Sequence, residues 1–85
     1  MTNPEKINDD MLEKVVGGIL TPDQALTRAL EDARVTNPDF VKHVQLDYEH
    51  GRQVYEIKFY KDHFEYEYDI DAENGAVLKF EKDYD

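Results

Sequence analysis

From Phe40 onward, apolar and polar residues alternate in successive short runs, and a period of two leaves little choice but a half-buried antiparallel sheet. Val44, Leu46 and Tyr48 alternate with Gln45 and Asp47; Tyr55, Ile57 and Phe59 alternate with Glu56 and Lys58. Phe64, Tyr66, Tyr68 and Ile70 then alternate with Glu65, Glu67 and Asp69, and Leu78 and Phe80 begin a fourth strand. His50-Gly51, Lys61-Asp62 and Asn74-Gly75 are the turn signals between them. All ten aromatic residues follow Pro38, so the strand half supplies the bulk of any core.

Placing Lys61-Asp62 in a two-residue hairpin loop predicts Tyr55 against Tyr68, Ile57 against Tyr66 and Phe59 against Phe64. A slip by one residue would set apolar side chains opposite acids on every rung. The same register predicts Lys58 across from Glu65, an exposed ion pair, and Glu56 across from Glu67, two like charges that cost a little stability. Ahead of the strands, Thr21-Pro22-Asp23-Gln24 carries a helix start: a Thr cap, Pro at the first helical position, an acid near the positive end of the dipole and Gln for a capping box. Ala25, Leu26, Ala29, Leu30 and Ala33 form its apolar stripe, small enough for close approach to a sheet, and Asn37-Pro38 is expected to end it. The fold expected is α+β, with a helix packed on one face of a four-stranded antiparallel β-meander.

Composition narrows the function. With 85 residues the chain sustains one core, and no Cys or Ser is present, which removes thiol chemistry, thiolate metal sites and the usual oxygen nucleophile. Twenty Asp and Glu against ten Lys and Arg give a net charge of −10, which disfavours a nucleic-acid partner and favours a basic one. No run approaches the roughly 18 apolar residues of a spanning helix, so no membrane insertion is expected.

The sheet face away from the helix is expected to carry His43, Gln45, Glu56, Lys58, Glu65, Glu67 and Asp69, with Val54 among them. Glu56, Lys58, Glu65, Glu67 and Asp69 are the candidate protein-binding residues, because opposed acids invite a counter-charge from outside. The plain alternative is a solvated face. A cation shared by carboxylates on adjacent strands is a third reading, although hard cations take six or more oxygens. Asp69 to Gly75 fails as an EF-type calcium loop, since Gly75 is one place late and Phe80 stands where a bidentate Glu belongs. His43, His50 and His63 have no convergent spacing. No catalytic residue, metal site or cofactor is therefore expected, and the protein is read as a non-enzyme.

Residues 19–82 resemble a known family. The segments Ile19-Leu20-Thr21-Pro22-Asp23-Gln24-Ala25-Leu26, Val44 to Ile57 with Gly51-Arg52-Gln53-Val54-Tyr55-Glu56-Ile57, and Tyr66 to Leu78 with Ile70-Asp71-Ala72 and Gly75 are similar to PepSY domains. The resemblance implies a helix laid on an antiparallel sheet and a module of metallopeptidase propeptides and of bacterial secreted or membrane-anchored proteins that binds and restrains peptidases. It implies no catalytic residue; Asp71 and Gly75 are read as turn formers.

Residues 1–18 resemble a double-glycine leader of the type removed by peptidase-containing ABC exporters of bacteriocin-like peptides. Ile7, Leu12 and Val15 would enter a hydrophobic groove, and Gly17 and Gly18 a narrow cleavage cleft. Met11 stands where such leaders often carry an acid. The alternative is a short N-terminal helix, with Ile7, Met11 and Val15 on one side, followed by a glycine loop. The division expected is 1–18 as leader and 19–85 as the PepSY-like domain. Export would place the mature protein outside the cell, with a peptidase or other extracellular protein as partner. Without the leader, a cytoplasmic acidic interaction protein, a nucleic-acid mimic among them, is the competing reading. Oligomeric state is left open.

Overall fold

The structure, a computed structural model, describes residues 18–84. One helix, α1 (Pro22–Ala33), precedes four strands, β1 (Phe40–Glu49), β2 (Arg52–Lys61), β3 (Phe64–Asp71) and β4 (Val77–Tyr84). They form one antiparallel sheet in the order β1-β2-β3-β4, the meander predicted from alternation. The expected extra N-terminal helix, and Ile7, Leu12, Val15 and Gly17 of the leader reading, lie outside the described residues; Gly18 is exposed with φ +72°. No described helix is long and apolar enough to cross a membrane.

The start of α1 is built as its sequence indicates. Gln24 N–H donates to Thr21 Oγ1 at 3.1 Å and Thr21 N–H to Gln24 Oε1 at 2.8 Å, a complete capping box. Its end comes earlier than Asn37-Pro38. Arg34 adopts the left-handed conformation (φ 61°), its N–H reaching the Glu31 and Leu30 carbonyls, and Val35 N–H donates to Leu30 O at 3.0 Å. This Schellman closure satisfies the last carbonyls and turns Val35 into the core, so burial of Val35 stops the helix before proline does.

The helix lies on β1, β2 and β3 through Ala25 and Ala29, both fully buried. Beneath them sit Tyr55, Ile57, Phe59, Tyr66, Tyr68 and Ile70, one face of β2 and β3. The Phe59 ring stacks on Tyr66 at 5.0 Å and on Tyr68 at 6.2 Å. Two phenols tether the helix segment: Tyr68 Oη donates to Asp32 Oδ2 at 2.9 Å, and Tyr55 Oη to Leu20 O at 2.8 Å. Burial, then the hydrogen bond to Asp32, raises the Tyr68 hydroxyl's pKa far above that of free tyrosine.

The β2-β3 register differs from the expected one by two residues. Ile57 faces Tyr68, Phe59 faces Tyr66 and Lys61 faces Phe64, so the loop is Asp62-His63 instead of Lys61-Asp62. A type I′ turn needs positive φ at both central positions, and Asp62 (54°) and His63 (72°) supply it; Asp and His tolerate that region better than Lys. Asp39 secures the turn, accepting from Asp62 N–H at 3.0 Å with Lys61 Nζ 3.8 Å away. A shift of two preserves every residue's face but changes its partner. Glu56 faces Asp69 instead of Glu67, and Lys58 faces Glu67 instead of Glu65.

Candidate functional site

The pairing registers place His43, Gln45, Asp47 and Glu49 of β1 on the sheet face opposite α1, with Val54, Glu56, Lys58 and Tyr60 of β2. Glu65, Glu67 and Asp69 of β3 share that face with Lys79, Glu81 and Asp83 of β4. All five candidate residues named from sequence, Glu56, Lys58, Glu65, Glu67 and Asp69, are therefore on the outer face. Four of them are register partners on two rungs, Glu56 opposite Asp69 and Lys58 opposite Glu67. Glu65 stands apart at the far end, between Tyr60 and Asp83.

The densest part of the face includes two residues not named as site residues from the sequence. Carboxylate oxygens of Asp47, Glu49 and Glu56 lie within 4.8 Å of one another. The alternation of β1 assigns Asp47 and Glu49 to the polar face, but their convergence on Glu56 depends on the register. Opposite them, Asp69 completes a four-acid cluster. The Glu56 carboxyl is raised above its ordinary pKa by burial first, then by the charge of Asp47, hydrogen bonds with Glu49 and Asp47, and the charge of Asp69. Asp69 is raised too, by burial first and then by Glu49; Lys79 pulls the other way, while Glu67 and Glu81 add to the rise. Inside the domain the counter-charge is thin. His43 Nε2 is 3.7 Å from Glu56, and Lys79 Nζ is 4.0 Å from both Glu67 and Glu81.

Beside the cluster is a shallow hollow lined by Glu49, His50, Arg52, Val54, Asp69 and Leu78. Leu78 is there because the β3-β4 ladder is irregular between Asp69 and Ile70, leaving it without a partner. Asp71 closes that end of the sheet. Its carboxylate accepts from Arg52 Nη1 at 3.2 Å and from Glu73 N–H at 2.8 Å. Gly75 has φ +79°, and a Cβ on it would lie 2.7 Å from Arg28 Nε. Both residues serve the turn, in agreement with the reading from sequence. His50 and His63 occupy turns at opposite ends of β2, and His43 is paired with Lys58 between them, so the histidines do not converge.

An open face of carboxylates with one flanking imidazole attracts Lys and Arg side chains. Three carboxylates on a flat sheet, each offering one converging oxygen, fall short of the six to eight oxygens that enclose calcium. General acid catalysis uses a carboxyl within a site that holds substrate, which this face does not enclose.

The chain matches the PepSY family, described as the peptidase propeptide and YPEB domain, over residues 19–81. It is 43% identical over 61 residues to an uncharacterized protein, Spy1430, of Streptococcus pyogenes serotype M6, a stretch covering 71% of this chain and 47% of that protein. The chain thus spans about half the length of this curated relative. No solved structure matches it. PepSY domains are generally non-catalytic, and no enzymatic family is indicated. The helix, the first three strands, the turn built on Asp71 and Gly75 and the first five residues of β4 fall within the matched span, and the chain belongs to the PepSY family.

Proposed function

We propose that this domain is a non-enzymatic binding module that sets its outer sheet face against a basic patch of a peptidase and restrains it. The observation that carries the reading is the crowding of Asp47, Glu49, Glu56 and Asp69, whose charges oppose one another and, among the described residues, are met at the edges by His43, Lys79 and the Arg52 that faces Glu49. A partner's Lys or Arg supplies the missing charge, and Lys58 with Glu67 sets its register. Membership of the PepSY family supports the class of partner.

Export belongs to the same reading: removal of residues 1–18 by a peptidase-containing ABC exporter leaves a domain starting at Ile19. Mass spectrometry of the protein recovered from culture medium tests it, since an N-terminus at Ile19 is expected and an intact Met1 start refutes it.

The binding claim is tested by titrating the purified protein against secreted metallopeptidases of its own organism. Binding that weakens with salt, and weakens at least about tenfold in Glu56→Lys, is expected. Absence of both binding and inhibition across the set removes the peptidase claim. A calcium-modulated surface is the second reading, motivated by the Asp47, Glu49 and Glu56 oxygens. An unchanged melting temperature in millimolar calcium counts against it.

A further inference from the structure

We propose that two copies of the chain pair edge to edge through β4, making one eight-stranded sheet about a two-fold axis at Phe80. Among the described residues the strand has a free edge, because the sheet order leaves β4 with β3 alone. All eight residues of β4 are exposed, and α1 packs over β1, β2 and β3. Phe80 is 48% exposed although its ring lies 4.9 Å from that of buried Tyr68, so the aromatic core continues to the open edge.

Charge selects the occupant. In a continuous antiparallel sheet, residues directly opposite share a face, so a two-fold axis must pass through a residue that meets its own copy. An axis at Lys79 opposes Lys79 to itself. One at Glu81 opposes two glutamates, and one at Lys82 opposes two lysines and sets Glu81 against Asp83. An axis at Phe80 sets Lys79 against Glu81 of the second copy, and Glu81 against its Lys79, with no like charges opposed anywhere along the strand. On the helix side the two Phe80 rings meet between the two Tyr68 rings. Lysine on an edge ordinarily discourages pairing. Here the acid two residues further along answers it in trans, and Glu81, which faces Glu67 within its own sheet, gains a second cation.

The other edge is less suited. Both edge ladders carry one irregularity, but the outer face of β1 at His43, Gln45, Asp47 and Glu49 carries no lysine to answer its acids. One strand edge per copy is a small interface, so the expected dissociation constant is on the order of 10–100 µM at physiological salt.

The test is sedimentation velocity of the full chain from about 5 µM to about 1 mM. The parent is expected to shift from monomer to dimer across that range. Lys79→Glu and Glu81→Lys each place like charges on both rungs and are expected to weaken the dimer at least about tenfold, with unchanged circular dichroism. Mixed in equal amounts, the two variants regain opposite charges on both rungs and are expected to form a heterodimer at least as tight as the parent dimer. A parent that stays monomeric to the top concentration overturns the proposal. So does a dimer indifferent to both reversals, or a mixture of the folded variants that fails to associate.

Discussion

Replacing Glu56 by Gln keeps the shape of the outer face and removes the charge at the centre of the acid cluster. Two unit charges 4.8 Å apart, the limit within which the Asp47, Glu49 and Glu56 oxygens lie, repel by about 0.9 kcal/mol in bulk water and about 3.5 kcal/mol at an effective dielectric of 20. The Glu56 side chain is 35% exposed, so the lower figure applies, and a Debye length of about 8 Å at physiological salt roughly halves it. Two neighbours at that range contribute about 0.9 kcal/mol, and the repulsion that persists in the unfolded chain and the lost contact with His43 bring the net stabilisation down to about 0.3–0.8 kcal/mol. For a domain of this size that raises the melting temperature by roughly 1–6 °C. The pH dependence supplies an independent check. Glu56 and Asp69 both have folded-state pKa values above their ordinary ones, so the folded form holds more protons in the window just above the ordinary carboxylate range. Stability from these two groups therefore rises as pH falls through that window, and the destabilisation is fully relieved below the unfolded value near about 4. Calorimetric melts from pH 7 to about pH 5 are expected to climb in the parent and to climb less in Glu56→Gln. Glu73→Gln, in the exposed β3-β4 turn, is the control and is expected to change stability by less than about 0.5 kcal/mol. A Glu56→Gln protein no more stable than its parent, or one with the parent's full pH slope, would show that the acids are not in conflict and would refute the reasoning.

Denaturant unfolding of Tyr68→Phe, Asp32→Ala and the double variant should reveal coupling of about 1–2 kcal/mol, because Tyr68 is fully buried and its hydroxyl has the exposed Asp32 as acceptor. Coupling below about 0.5 kcal/mol would mean that water replaces the carboxylate without loss. Gly75→Ala is expected to cost about 1–2 kcal/mol from its positive φ, plus a smaller amount as the Arg28 guanidinium moves aside. Adding Arg28→Ala should recover only the second part, as read from chemical melts of the single and double variants.

The faces of the sheet were legible in the sequence because side-chain direction in a strand depends only on parity. Tyr55, Ile57, Phe59, Tyr66, Tyr68 and Ile70 are core residues in any register that respects the alternation. Neighbour relations are another matter. They turn on which two residues occupy a turn, and Lys61-Asp62 and Asp62-His63 differ by a backbone preference of the order of 1 kcal/mol. The contact with Asp39, distant in sequence, adds to the second choice. The end of α1 escaped for a similar reason. Arg34 is no evident helix terminator, and its left-handed turn is held by the burial of Val35, a tertiary effect. The candidate site was legible as a face and not as a cluster, since Asp47, Glu49, Glu56 and Asp69 meet only after two registers are fixed.

The proposed binding role and mere solubility make different demands on where the acids stand. Net charge of −10 favours solubility wherever the charges stand, and widely spaced acids on loops and the outer side of α1 supply it at little cost. Elsewhere on the same face the sheet sets opposite charges against each other. Glu49 faces Arg52, which also holds Asp71, and Lys58 faces Glu67. In the row through Glu56 the chain sets Gln45, Glu56, Asp69 and Lys79, with two acids at its centre and the lysine at its edge. A lysine in place of Glu56 would fit the same pleat and relieve Asp47, Glu49 and Asp69 together. Local repulsion retained where a single substitution removes it is the pattern expected when the compensating charge arrives with a partner, because the like charges that destabilise the free domain are then the ones that hold the complex.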